Sequence, residues 1–203
     1  MIAIIDYGLG NLGSIANMLK VLGEKSIITS NKSEIINADR LILPGVGAFD
    51  AGMSQLKERN LIECIKEQAK NKKPLLGICL GMQLLGRSSE EGILPGLGLI
   101  QFDNIRFSFG DNSPLKIPHM GWDIVKFNQH NPLIKDIQGV QRYYFVHSYH
   151  AVCDNSENIL MSCDYGYEFA ASVVSENVYG VQFHPEKSHD FGMALLNNFA
   201  KRC

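Results

Sequence analysis

The sequence predicts an α/β fold: a central, mostly parallel sheet flanked by helices, with an added antiparallel strand region. Three observations lead there. In the first half, short apolar runs alternate with longer amphipathic stretches, the order that builds strand–helix–strand units. Those runs are apolar at nearly every position, as strands covered on both faces are. From Gly98 to Phe183 the chain changes to short strand-like segments and turns.

Met1–Ile5 reads as the first strand. Asn11–Leu22 reads as a helix, with Ile15, Met18, Leu19 and Leu22 on one face and Gly23 as its stop. Ser26–Thr29 is a short strand, and Asn31 with Glu34 has the spacing of a capping box opening a short helix. Arg40–Leu43 is a strand that Pro44-Gly45 should end. Asp50 is placed to cap one long helix to about Asn71, with Met53, Leu56, Ile62 and Ile65 inward. Leu75–Ile78 is the next strand, and a helix starts near Leu80. Strands follow at Trp122–Phe127, Arg142–Tyr149, Ile159–Cys163, Phe169–Ser175 and Val178–Phe183, then a last helix from about His189 to Lys201. No repeat or linker interrupts the pattern, so residues 1–203 read as a single domain.

A net charge of -2 gives no electrostatic case for a nucleic acid or an anionic membrane as partner. No apolar run reaches the roughly 18–20 residues that span a bilayer. The five cysteines, at 64, 79, 153, 163 and 203, are odd in number and scattered, unlike a disulfide framework or a zinc cage. A cytoplasmic setting is the expectation. Cys64 reads as packed in a helix, and Cys153 and Cys163 as strand residues.

Four segments are candidates for chemistry. Gly8-Leu9-Gly10-Asn11-Leu12-Gly13 fits the dinucleotide turn G-x-G-x-x-G, but no acid stands at the end of the second strand, which reads Thr29-Ser30-Asn31. A tight strand-to-helix turn is the simpler reading. Gly77-Ile78-Cys79-Leu80-Gly81 is the cysteine form of the nucleophile elbow G-x-S-x-G. Such a bend lifts the sulfur above the sheet edge, sets a helix N-terminus beneath it and so favours thiolate. It also aims the Leu80 N–H at an oxyanion. Gln182-Phe183-His184-Pro185-Glu186 ends a strand. An extended chain there places His184 and Glu186 on one side, so the carboxylate can fix the imidazole tautomer and leave the other nitrogen to serve the thiol. Pro44-Gly45-Val46-Gly47 leaves the third strand, where a glycine-rich backbone can present N–H groups to an oxyanion. His147 and His150, three apart in one strand, should face opposite sides, and no metal site is expected.

These segments together resemble the class I, triad-type glutamine amidotransferases, and among them the glutaminase subunits of imidazole glycerol phosphate synthase. The matching stretches are Asp6–Asn11, Leu43–Phe49, Gly77–Leu85, Gly96–Ile100, Pro118-His119-Met120-Gly121-Trp122, Phe145–Tyr149 and Gly180–Ser188. The resemblance implies a flavodoxin-like fold with Cys79 as nucleophile, His184 as acid and base, and Glu186 as its orienter. It implies an oxyanion hole from Leu80, Val46 and Gly47, with Gly47, Gln83, Ser148 and Tyr149 around the substrate, L-glutamine. It implies no cofactor. It also implies a separate (βα)8-barrel cyclase as partner, in a heterodimer making imidazole glycerol phosphate. Asn11, Leu12, Trp122 and Lys187 are expected at that interface. Two positions depart from the family's usual pattern: Asp123 replaces an asparagine, and Gln101-Phe102 replaces a proline-glycine. They leave a second reading open, a paralogue delivering ammonia to a surface-polysaccharide sugar.

Overall fold

The computed structural model describes residues 1–111 and 113–203. The first half alternates as the sequence predicts: β1 Ile2–Ile5, α1 Leu12–Val21, β2 Ser26–Thr29, α2 Lys32–Asn37, β3 Arg40–Gly45, α3 Phe49–Glu58, α4 Ile62–Lys70, β4 Leu75–Cys79 and α5 Leu80–Leu84. The second half holds β5 Ser88–Ser89, β6 Phe102–Arg106, β7 His119–Phe127, β8 Gln141–His147, β9 Tyr149–Cys153, β10 Ile159–Asp164, β11 Glu168–Ser175, β12 Val178–Val181 and α6 His189–Arg202. Among the described residues the strands join one 12-stranded sheet. Its parallel part runs β2-β1-β3-β4-β12, and β11, β10, β7 and β8 continue it antiparallel. β9 pairs β11 and β6, and β5 pairs β6. No helix among the described residues is long and apolar enough to cross a membrane.

Strand period two explains why the apolar runs are continuous. Ile2, Ile4, Ile42 and Leu76 enter one core with Leu19 of α1 and Leu195 and Phe199 of α6. Their neighbours Ala3, Ile5, Leu41, Leu43 and Leu75 enter a second core with Met53, Leu56 and Ile65 of α3 and α4. Successive side chains point to opposite faces, and each face needs its own helical cover.

Several local expectations change. β3 runs through Pro44 and Gly45, which pair with Ile78 and Cys79; β1 pairs only as far as Ile42, so the proline removes no bond on that side. The single helix from Asp50 to Asn71 is two helices. Asn60 sits at φ 56, a left-handed conformation that asparagine tolerates, and the chain turns there. Ala48 is the N-cap of α3, while the Asp50 carboxylate accepts the N–H groups of Ile93 and Leu94. Asn31 does cap α2, accepting from Ser33 N at 2.8 Å, but the Glu34 carboxylate accepts from Thr29 Oγ1 instead of closing a capping box. The predicted strand Arg142–Tyr149 breaks at Ser148 into β8 and β9. His147 and His150 therefore do not face opposite sides: both rings lie against Phe107, at 5.2 and 4.7 Å between centroids. The predicted strand to Phe183 stops at Val181. Cys64, Cys153 and Cys163 lie in α4, β9 and β10, as the sequence suggests.

Candidate active site

The site forms where the parallel strands end, the edge at which α/β sheets hold their reacting groups. β3 and β4 are registered so that Gly45 pairs with Cys79, which sets Val46 and Gly47 just beyond the sulfur's strand. β12 lies on the other side of β4, with Val181 opposite Ile78, so the chain to His184 leaves beside the elbow.

Cys79 sits at φ 55 and ψ -112. Holding a non-glycine residue in such a sparsely populated region costs about 1–3 kcal/mol, a strain that surrounding structure must impose. The flanking glycines impose it. A Cβ on Gly77 would lie 2.6 Å from the Gly81 carbonyl oxygen, and one on Gly81 would lie 1.7 Å from that of Leu43. Strand and helix thus meet backbone to backbone around the cysteine. Gly45 is equally tight, because its Cβ would meet the Tyr7 hydroxyl at 2.2 Å. Gly47 differs: at φ +101 its surroundings are open, so its backbone is uncovered.

His184 follows the bend after β12. Its Nδ1 lies 2.8 Å from Glu186 Oε1, with both side chains almost wholly buried. The pair meets, although not on an extended chain: Pro185–Lys187 forms a 3-10 turn that Pro185 opens. Asn11, at the N-cap of α1, donates from Nδ2 to the same carboxylate oxygen at 3.0 Å. The Gly8–Gly13 segment is therefore a tight turn, with Gly8 and Gly10 at positive φ, that brings Asn11 to the carboxylate. His184 Nε2 is buried without a hydrogen-bond partner among the described residues.

Burial disfavours the His184 cation. The nearby Cys79 sulfur, with the hydrogen bond and charge of Glu186, outweighs it and lifts the imidazole from its ordinary 6.5 to about 9. Burial also pushes the Glu186 carboxyl up, and the His184 contact and Asn11 amide more than reverse this, holding it below its usual range. The signs of the two linkages are opposite. The raised His184 contributes stability that is complete below 6.5 and is lost as pH rises through about 9. The lowered Glu186 contributes stability that is present above its ordinary pKa and is lost on acidification. The melting temperature is expected to fall from pH 6.5 to about 9, and Cys79→Ala should flatten that fall. Identical slopes for wild type and variant would contradict the pairing.

Beside the sulfur opens a cleft of about 470 Å³, lined by Val46, Gly47, Leu80, Gln83, Glu91 and Ser148-Tyr149, with Cys79 and His184 at its base. All four substrate positions expected from sequence line it. Gln83 is tied down: Nε2 donates to the Tyr149 carbonyl at 3.2 Å and to Gln182 Oε1 at 3.1 Å. Both amide hydrogens are so used, and any direct contact with a ligand falls to its oxygen. Of the expected interface residues, Trp122 is 42% exposed and stacks on His189 at 5.5 Å. Lys187 is exposed, its ammonium 5.6 Å above the Tyr144 ring, and Leu12 is half-buried.

Sequence reading missed three groups. Gln182 is fully buried and links Gln83 to the sulfur, its Nε2 being 3.9 Å from Cys79 Sγ. Its signal was its place two residues before His184. Among the described residues Glu91 is the one carboxylate on the cleft lining, and its Oε2 also accepts the Phe49 N–H at 2.8 Å. The third, His147, also lines the cleft, its Nδ1 2.8 Å from the Tyr149 carbonyl oxygen. Neither Glu91 nor His147 had a signal in local spacing.

A strained cysteine elbow beside a buried histidine–carboxylate pair defines a triad-type thiol hydrolase site. The family model for class-I glutamine amidotransferases matches residues 3–203, and the chain belongs to that family. Within it, the chain is 53% identical to imidazole glycerol phosphate synthase subunit HisH 2 of Methanococcus maripaludis, covering all of both chains. It is 50% identical to the subunit HisH 2 of Pseudomonas aeruginosa over 99% of each, and 50% to the subunit HisH of Methanosarcina acetivorans over 100% of this chain and 98% of that one. Among solved structures, a glutamine amidotransferase shares the fold with a TM-score of 0.74 at 18% identity, over 97% of this chain and 98% of the other. PurLQS of Thermotoga maritima does so at 0.73 and 18%, over 98% and 96%.

Proposed function

We propose that residues 1–203 form one domain that hydrolyses L-glutamine to glutamate and ammonia and passes the ammonia to a separate (βα)8-barrel cyclase making imidazole glycerol phosphate. The setting of that pathway is the cytoplasm. The observation that carries the hydrolysis is the strained Cys79 opening into a cleft beside the His184–Glu186–Asn11 chain. The cyclase reading rests on full-length likeness to the HisH subunits.

The Cys79 sulfur attacks the side-chain carboxamide carbon of glutamine. The carbonyl electrons move to oxygen, where the backbone N–H groups of Leu80 and the Val46–Gly47 turn receive the charge. Each such donor is worth about 2.7–4 kcal/mol in comparable hydrolases. His184 Nε2 gives its proton to the amide nitrogen, the C–N bond breaks and ammonia leaves. Water then attacks the thioester with His184 as base, and glutamate departs with the thiol restored. Glu91, as the lining carboxylate, receives the substrate ammonium, and Gly47 with Ser148-Tyr149 encloses the amino-acid end.

An electrophilic glutamine analogue should label Cys79 and block glutamate release; labelling elsewhere would overturn the assignment. Hydrolysis is expected to be slow for the chain alone and faster with a ligand-loaded barrel protein, because ammonia released into water is protonated and lost as a nucleophile. Trp122→Ala should weaken that association by about 2 kcal/mol, as interface tryptophans do, and leave the unstimulated rate unchanged. Equal rates with and without any barrel protein would remove the partner from the proposal. Glu186→Gln should retain roughly ten- to a hundredfold more activity than His184→Ala, since a carboxylate that orients the base transfers no proton. The reverse order in folded variants would exchange the assigned roles.

A further inference from the structure

Outside the triad, buried titratable rings gather beside the cleft. His119 opens β7, His147 closes β8, and the two are directly opposed across the strands. His119 Nδ1 lies 3.1 Å from His147 Nε2, and His147 Nδ1 lies 2.8 Å from the Tyr149 carbonyl oxygen. A carbonyl only accepts, so His147 Nδ1 carries the hydrogen. A neutral imidazole holds one N–H, which makes His147 Nε2 the acceptor and His119 Nδ1 the donor. His147 is that neutral ring: burial, and behind it the nearby His119, His150 and His184, pull its pKa to about 3.

His119 is packed between Phe145 and Tyr165, at 4.8 and 4.0 Å between centroids with near-parallel rings. Its Nε2 lies 3.3 Å from the partly exposed Asp123 carboxylate. Only a doubly protonated His119 donates both ways. Burial works against that form and Asp123 works for it. The Asp123 contact, at the surface, is the one that yields when the ring loses a proton.

At the far end of this relay, the Tyr149 carbonyl also accepts from Gln83 Nε2 at 3.2 Å. One atom at the lip of the cleft is thus held from two sides. We propose that His147, itself oriented by His119, is a positioning residue for the amino-acid subsite. It fixes the Tyr149 carbonyl and with it the Ser148-Tyr149 segment that closes on substrate. His147 transfers no proton, because its own is held by the carbonyl and its lone pair faces His119. The inference rests on the cleft being a glutamine site.

The test uses the whole chain with a candidate barrel partner. His147→Phe keeps a ring against Phe107 and Phe169 and removes both hydrogen bonds. It should raise the glutamine KM roughly three- to tenfold and change kcat less than about twofold, the split expected when one ground-state positioning bond is lost. His147→Asn restores a donor near the place of Nδ1 and should bring KM back to within about twofold of wild type. Equal KM losses in both variants, or a loss confined to kcat, would overturn the proposal. If His147→Phe does not fold, His119→Phe replaces it, with a smaller rise in KM expected and an unchanged KM counting against. Independently, ¹⁵N resonances of the wild-type protein should show His147 as the neutral Nδ1–H tautomer, and the Nε2–H tautomer would refute the relay. If wild type releases no glutamate at all, the glutamine reading fails, while the tautomer result still decides the relay.

Discussion

Cys79→Ala is expected to lower glutamine hydrolysis by about 10⁴–10⁶, the loss seen when a triad hydrolase is stripped of its nucleophile. The variant should still fold, because alanine fits the space of the buried thiol and removes no backbone contact. It should even shed strain if the chain at position 79 relaxes from φ 55. Ammonium salt added to a complex of the variant with its barrel partner should restore synthesis, since only the supply of ammonia is lost. Measuring glutamate release and ammonia-driven product formation side by side separates the two halves of the reaction. Retention of more than about a tenth of the glutaminase rate would remove Cys79 as the nucleophile.

Gly81→Ala should damage the fold itself. Its Cβ would lie 1.7 Å from the Leu43 carbonyl oxygen, a backbone atom of β3 with nowhere to turn. To relieve that overlap α5 must lift from the sheet, and Leu80, Met82 and Leu84 would leave the core they share with Leu43 and Phe49. A loss above about 4–5 kcal/mol, or no folded protein, is expected, the range reserved for such core failures. Gly13→Ala is the control. It lies in the exposed face of α1 with nothing among the described residues within 4 Å of the added carbon, and it should stabilise by roughly 0.5–1 kcal/mol. Similar chemical-denaturation midpoints for the two variants would refute the contact argument.

The elbow was legible because its chemistry is written in backbone terms: glycine two residues either side of Cys79 demands a crossing too close for side chains. The His184–Glu186 contact was legible for the same local reason, although a 3-10 turn delivers it. What spacing cannot carry is juxtaposition between distant segments. Asn11 reaches Glu186 across 175 residues, and Gln83 meets Gln182 across 99. The two helices read as one because the pairs Met53–Leu56 and Ile62–Ile65, each at helical spacing, flank the turn at Asn60, and an asparagine interrupts such a pattern less visibly than a glycine. β6 escaped notice because its inward position Asn104 is polar. That side chain donates to the carbonyls of Gln83 and Ser88, a use no hydropathy pattern reports.

The position of β12 has a consequence for the order in which the protein acquires its reactivity. This strand lies at the middle of the sheet, between β4 and β11, yet it is synthesised long after β4 and after every other strand of that sheet. A ribosome that has released Cys79 has still to make the histidine, its carboxylate and the strand that carries them. Contacts of such long range close late in folding. With the triad proposed above, an unfinished chain exposes a thiol but no base, and releases no ammonia. On that proposal hydrolytic competence arrives with the central strand, when the sheet is completed and Asn11 meets Glu186.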